Sequence, residues 1–196
     1  LYYLYKYKNM RGKVVVTFSV TNKMRKLAEQ FGLDFEVTKI GFKYIAEIMT
    51  REDVLVGGEE SGGLAVKGHI PERDGIWIGL VLFEFMAKTG KSLRELIQEI
   101  YEKVGSFAFQ RDDLHLPEEK KGAVMEKCKE GTFKAFGRFS IQRTENIDGY
   151  KFFFGEDSWV LVRPSGTEPV LRVYGEAPTT EEARALLDAA HESLLS

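Results

Sequence analysis

Arg163, Ser165, Gly166 and Thr167 fall within five consecutive residues of the stretch RPSGTEP (163–169). Their chemistry suits a phosphate. Arg163 can present two N–H groups to two oxygens, Ser165 and Thr167 can each donate a hydroxyl proton, and Gly166 lets backbone amides approach closely. Arg172, in the run VLRVYGEA that follows, can bring a second positive charge back toward the loop. The same residue types also make an ordinary Pro/Ser/Gly hairpin turn, so the stretch alone leaves both readings open.

A second loop, GGEESGG (57–63), places Glu59 and Ser61 two positions apart between glycine pairs. From an extended segment both side chains would point the same way. A carboxylate can accept hydrogen bonds from two neighbouring sugar hydroxyls, with a serine hydroxyl beside it, so the arrangement suits a vicinal diol. Glu60 would point away into solvent. A flexible glycine-rich hairpin with incidental charges is the other reading. Lys43, at the start of a short helical pattern, is a lesser candidate, as is Arg73. Asp74 reads as the N-cap of the helix after it. His69, His115 and His191 are scattered without metal-ligand spacing, and no metal is expected in this chain.

The elements that must carry these loops alternate in the first part of the chain. KVVVTF (13–18) reads as a strand and TNKMRKLAEQFG (21–32) as a helix, with Met24, Leu27, Ala28 and Phe31 at helical spacing. A strand at 34–38, a helix at 42–49, a strand at 53–57 and a helix at 74–88 continue the pattern. Ser92 and Glu95 form a capping box for a helix over 93–104, which Gly105 stops. The polar stretch PEEKKG (117–122) marks the expected domain boundary, giving domains 1–116 and 117–196. Beyond it come a helix (118–130), strands near 138–143, 150–154, 158–163 and 169–176, and a last helix beginning at Thr179. The predicted fold class is α/β: an α/β/α layered domain with a mixed sheet, then a smaller α+β domain with an antiparallel sheet flanked by helices.

Composition bounds the function. The 196 residues carry 28 basic and 30 acidic side chains, a net charge of -2, without the basic excess that nucleic-acid binding requires. The longest apolar run, GIWIGLVLF (75–83), falls well short of the ~20 residues that span a bilayer, so no membrane partner is expected. One cysteine, Cys128, allows no internal disulfide and fits a reducing, cytoplasmic setting. The first residues, LYYLYKYKNMRG, show neither an initiator methionine nor a signal peptide, and the chain reads as a piece of something longer.

GGEESGG and RPSGTEPVLRVYGEA, in this order and about a hundred residues apart, resemble the sugar-recognition and phosphate-binding loops of the α-D-phosphohexomutases, the phosphoglucomutase and phosphomannomutase superfamily. TKIGFKYIAEIM (38–49) and GHIPERDGI (68–76) resemble the segments around the sugar loop. The resemblance covers nearly the whole chain and implies the third and fourth of four domains. It implies that Glu59 and Ser61 grip sugar hydroxyls, that Lys43 approaches the substrate, and that Arg163, Ser165, Gly166 and Thr167 hold the phosphate not being transferred. The family's phosphoserine loop and Asp-rich magnesium loop are absent from this sequence, so the resemblance places catalytic serine and Mg2+ outside this chain, with a hexose 1,6-bisphosphate as intermediate and activator. The partners implied are a hexose phosphate and the missing N-terminal domains. GEESGG resembles the glucose-type loop. A phosphomannomutase, a dual-specificity enzyme and a non-catalytic sugar-phosphate-binding module are the alternatives.

Overall fold

Val14, Val15 and Val16 are β-branched and almost wholly buried, the signature of a strand covered on both faces. In the computed structural model, which describes residues 1–166 and 168–196, they form the middle of β1 (Lys13–Thr17). The first unit, Leu1–Gly105, opens with α1 (Tyr2–Lys6), ahead of β1. It continues through α2 (Lys23–Gln30), β2 (Phe35–Thr38), α3 (Phe42–Met49), β3 (Val54–Gly58), β4 (Leu64–Val66), α4 (Gly75–Thr89) and α5 (Leu93–Val104). The sheet runs β2-β1-β3-β4, with β1 parallel to both neighbours and β4 antiparallel to β3. Val14 and Val16 pack with Leu27, Phe85 and Leu96 from α2, α4 and α5, whereas Val15 packs with Phe42 and Ile45 of α3. This is the α/β/α layering with a mixed sheet read from the sequence.

Local signals set the helix ends. Asp74 caps α4 by accepting from the Trp77 N–H at 2.9 Å, and Ser92 and Glu95 complete the capping box of α5. Helix α1 had no such signal. Packing makes it: Tyr3 stacks on Phe85 at 4.7 Å and Tyr5 on Phe31 at 3.9 Å. The outer side of α4 leaves Ile76 (81% exposed), Leu80 and Phe83 (69%) in solvent. Among the described residues no helix is long and apolar enough to cross a membrane.

The second unit, Ser106–Ser196, contains β5 (Ala108–His115), α6 (Glu118–Glu130), β6 (Ala135–Phe136), β7 (Phe139–Ser140), β8 (Arg143–Glu145), β9 (Tyr150–Phe153), β10 (Trp159–Pro164), β11 (Val170–Ala177) and α7 (Thr180–Leu195). Its main sheet is antiparallel throughout, in the order β5-β11-β10-β9-β8. Val124 and Cys128 of α6 and Leu186, Leu187, Ala190 and Leu194 of α7 pack on Val160, Val162, Leu171 and Val173. Burial pushes the Cys128 thiol up to about 12.

The units divide at Gly105/Ser106 rather than at the expected 116/117. The reason is β5, which pairs with β11 along its full length, from Ala108↔Ala177 to His115↔Val170. Its sequence is polar, and it can form a strand because its carboxylates are paired: Asp113 takes two bonds from Arg111, at 2.8 and 2.6 Å, and Asp112 one from Arg184 at 2.6 Å. The strand expected at 138–143 is two short pieces, β7 and β8.

Close packing of α7 on β11 gives a test. At Gly175 a Cβ would stand 2.8 Å from Leu187 Cγ. Gly175→Ala should therefore destabilise the second unit by about 1–3 kcal/mol. Urea unfolding followed by Trp159 fluorescence, in a Trp77→Phe background, measures this; an unchanged midpoint would contradict the packing.

Candidate functional site

Strands β3 and β4 pair from Val56↔Val66 to Gly58↔Leu64 and leave residues 59–63 as the tip of a hairpin. Helix α3 can lie against β3 because residue 57 has no side chain; a Cβ there would stand 2.3 Å from Ile45 Cγ2. The tip is tightly closed. The Glu59 N–H donates to the Gly63 carbonyl at 3.0 Å and the Gly62 N–H to the Glu59 carbonyl at 3.1 Å, with Gly62 at φ +86°.

Glu59 points inward, its side chain only 9% exposed, and its Oε2 lies 3.1 Å from Nη1 of Arg73. The stem of Arg73 crosses the hairpin at Gly63, where a Cβ would meet Cδ at 2.6 Å, and its guanidinium sits 5.2 Å above the ring of Phe42. One arginine therefore ties the loop tip to the first residue of α3. Burial raises the Glu59 pKa above the usual carboxylate range, and Arg73 opposes that rise. The carboxylate is a largely desolvated acceptor, with Arg73 the cation beside it that favours its charged form.

Two sequence readings of this loop need correction. The segment is a turn rather than extended backbone, so Ser61 stands exposed at the tip instead of projecting alongside Glu59. Glu60 is half-buried rather than solvated, and accepts a short hydrogen bond from the hydroxyl of Ser19, itself fully buried. Lys43 is exposed on the first turn of α3, with Nζ 4.9 Å from the centre of the Tyr44 ring. Asp74, besides capping α4, lies 2.8 Å from Nε2 of His69, whose ring stacks on Trp77 at 4.5 Å.

In the second unit, the register of β10 and β11 sets Arg163 directly opposite Arg172. Strand alternation sends Val162, Leu171 and Val173 toward the helices and both arginines to the other face. Like charges placed this way destabilise a strand pair, and each arginine here has a carboxylate. Arg163 Nε lies 3.1 Å from Oδ2 of Asp148, and Arg172 Nη2 lies 2.7 Å from Oε2 of Glu168. Neither Nε has an aligned hydrogen-bond partner among the described residues.

Ser165 is buried in the hairpin, where its hydroxyl accepts from the Glu168 N–H at 3.2 Å and its own N–H donates to the Val170 carbonyl at 3.0 Å. Gly166 is exposed, with no atom within 4 Å of where its Cβ would be. Thr167 lies outside the described residues. Sequence reasoning missed Asp148 and Glu168 as partners; Asp-Gly ahead of β9 was a turn signal, but nothing in it pointed to Arg163. Among the described residues, no group of three or more His, Cys, Asp or Glu could hold a metal ion.

Residues 1–104 match the sequence profile of phosphoglucomutase/phosphomannomutase, alpha/beta/alpha domain III, and residues 114–193 that of the phosphoglucomutase/phosphomannomutase C-terminal domain. A phosphoglucomutase/phosphomannomutase of Thermococcus kodakarensis is 32% identical over 180 residues, 92% of this chain and 37% of the relative. A phosphoglucosamine mutase of Rubrobacter xylanophilus is 33% identical over 90% of this chain and 36% of its own length. The crystal structure of a candidate phosphomannomutase from Thermus thermophilus superposes with a TM-score of 0.79 at 32% identity, covering 98% of this chain and 39% of that one. The chain thus spans rather more than a third of the length of these relatives.

Because Arg73 opposes the effect of burial on Glu59, Arg73→Ala should move the Glu59 titration further up. Carboxyl-carbon NMR across the acid range measures it. An unchanged midpoint would show that the ion pair does not set the charge of Glu59.

Proposed function

The chain belongs to the phosphoglucomutase/phosphomannomutase family, and from that membership we propose that it is the substrate-gripping part of a phosphohexomutase interconverting hexose 1- and 6-phosphates. The observation that carries the reading is the facing pair Arg163 and Arg172 at the mouth of the β10–β11 hairpin. Two guanidiniums on one sheet face, beside Ser165 and the backbone of Gly166, match a phosphate in donor type and number. Thr167 supplies a further hydroxyl in this proposal.

Glu59, in its buried setting, accepts hydrogen bonds from two sugar hydroxyls, with the exposed Ser61 hydroxyl reaching the same sugar and Lys43 approaching from the start of α3. Arg73 favours the charged form of Glu59, the better acceptor. Phosphoryl transfer demands positioning and charge neutralisation more than covalent assistance from most of the site. The division of labour follows: this chain holds the sugar and the phosphate that stays, and releases and regrips them when the bisphosphate turns round. The phosphoserine that exchanges the phosphoryl group, and the Mg2+ that neutralises charge on its oxygens, belong in this proposal to segments outside the 196 residues. Glucose phosphates are the proposed substrates, on the GEESGG loop. Mannose and glucosamine phosphates, named by the relatives' activities, are the competitors to include in a substrate panel.

Arg163→Ala should weaken glucose 1-phosphate binding to this chain by about tenfold or more, the range for a lost charge-assisted bond of about 1.5–3 kcal/mol. The exposed Glu119→Ala should leave it unchanged. Calorimetric titration decides, and equal affinities for the two variants would overturn the phosphate site. Incubated with glucose 1-phosphate, a trace of the 1,6-bisphosphate and magnesium, the chain alone should form no glucose 6-phosphate in a coupled assay. Turnover above that of an Arg163→Ala, Ser165→Ala control would reveal a catalytic group within these residues.

A further inference from the structure

We propose that Asp148 is a positioning residue for the phosphate site, acting through Arg163. The inference rests on the reading of that site given above and adds a third chain segment to it, the turn between β8 and β9. Asp148 Oδ2 stands 3.1 Å from Arg163 Nε, with both side chains largely shielded, 23% and 20% exposed. The contact is built by the backbone and not by two long side chains meeting in solvent. Gly149, the next residue, has φ +88°, and its absent Cβ would lie 2.5 Å from the Val162 carbonyl oxygen and 3.0 Å from Arg163 Cβ. The turn is therefore pressed onto β10 at the arginine itself, in a conformation and at a distance that only glycine accommodates. That close approach fixes where the Asp148 carboxylate can be.

A guanidinium is planar and rigid, so a carboxylate kept against its Nε edge by charge restrains the direction in which its Nη donors are presented. Arg163 needs such a restraint because it faces a second guanidinium across the ladder. Left to repulsion alone, the two would splay apart and lose their common target. Arg172 has its own restraint in Glu168, from within the hairpin. The two arginines are thus held by carboxylates from separate segments, the β8–β9 turn and the loop that joins β10 to β11.

Charge and position make opposite predictions. On Coulomb's law alone, removing a negative charge beside Arg163 raises the local positive potential and should tighten phosphate binding. If Asp148 positions Arg163, removing it should weaken binding. The test uses the 196-residue chain as wild type, Asp148→Ala, Asp148→Asn and Arg163→Ala. In the ligand-free proteins, the arginine Nε–Hε NMR signal of Arg163, identified by its loss in Arg163→Ala, should shift and broaden in Asp148→Ala. Titration with glucose 6-phosphate should then show affinity reduced about tenfold in Asp148→Ala, with Asp148→Asn, which keeps an acceptor oxygen of the same reach, recovering a large part. Affinity unchanged or improved in Asp148→Ala, with affinity lost in Arg163→Ala, overturns the role of Asp148 and leaves the phosphate site standing. An Arg163 Hε signal indifferent to Asp148→Ala overturns it as well. Affinity unchanged in Arg163→Ala overturns the phosphate site, and this role with it.

Discussion

The pairing of β10 with β11 is the interaction on which the second unit depends. Its six residue pairs run from Trp159↔Glu176 to Pro164↔Leu171. Alternation along them sends Val160, Val162, Leu171 and Val173 beneath α6 and α7 and turns Arg163 and Arg172 to the opposite face. A slip of one residue would exchange the two sets, taking the valines out from under the helices and pushing a guanidinium beneath them. Burying an unpaired charge is far costlier than losing a methyl contact. The register that builds the core therefore also brings the two arginines together, and neither can be changed alone.

The first unit couples fold and chemistry by a different route. Gly57 lets α3 close on β3, and the tight tip that follows turns Glu59 inward. Burial of that carboxylate opposes ionisation, so its folded pKa lies above the unfolded one. The sign of the linkage follows: any stability from this group is present at low pH and is lost as pH rises through the folded value. The charged form of this carboxylate is disfavoured by burial and favoured by Arg73. A ligand offering hydroxyl donors to that carboxylate would relieve the strain, so the same burial that weakens the loop sharpens its demand for donors.

Much of this was legible in the sequence where the cause is local. The capping box at Ser92 and Glu95, the Asp74 cap and the valine run of β1 all state their structure within a few residues. The two loops stand out in the sequence because donors or acceptors of one kind crowd into short stretches. What could not be read depends on distant partners. Helix α1 is made by stacking on Phe31 and Phe85; β5 joins the second unit through β11 and through Arg184, 72 positions from Asp112. Glu60 looks solvated until Ser19, 41 positions earlier, is brought beside it. Spacing within a motif shows what a loop contains, whereas orientation is decided by what lies behind it. The Glu59–Ser61 alternation failed for that reason, since the turn closes on itself through Gly62 and Gly63.

The buried thiol of Cys128 bears on how such a molecule can be observed. Since the chain has this single cysteine, sealed between α6 and the sheet and held protonated well above neutral pH, thiol reagents find little thiolate to attack in the native state. The natural sequence is already a silent background for maleimide dyes and spin labels. One cysteine engineered at the tip of either loop would carry a probe at a single defined place, and a pair of them would report the separation of the β3–β4 and β10–β11 loops in solution, with and without a sugar phosphate.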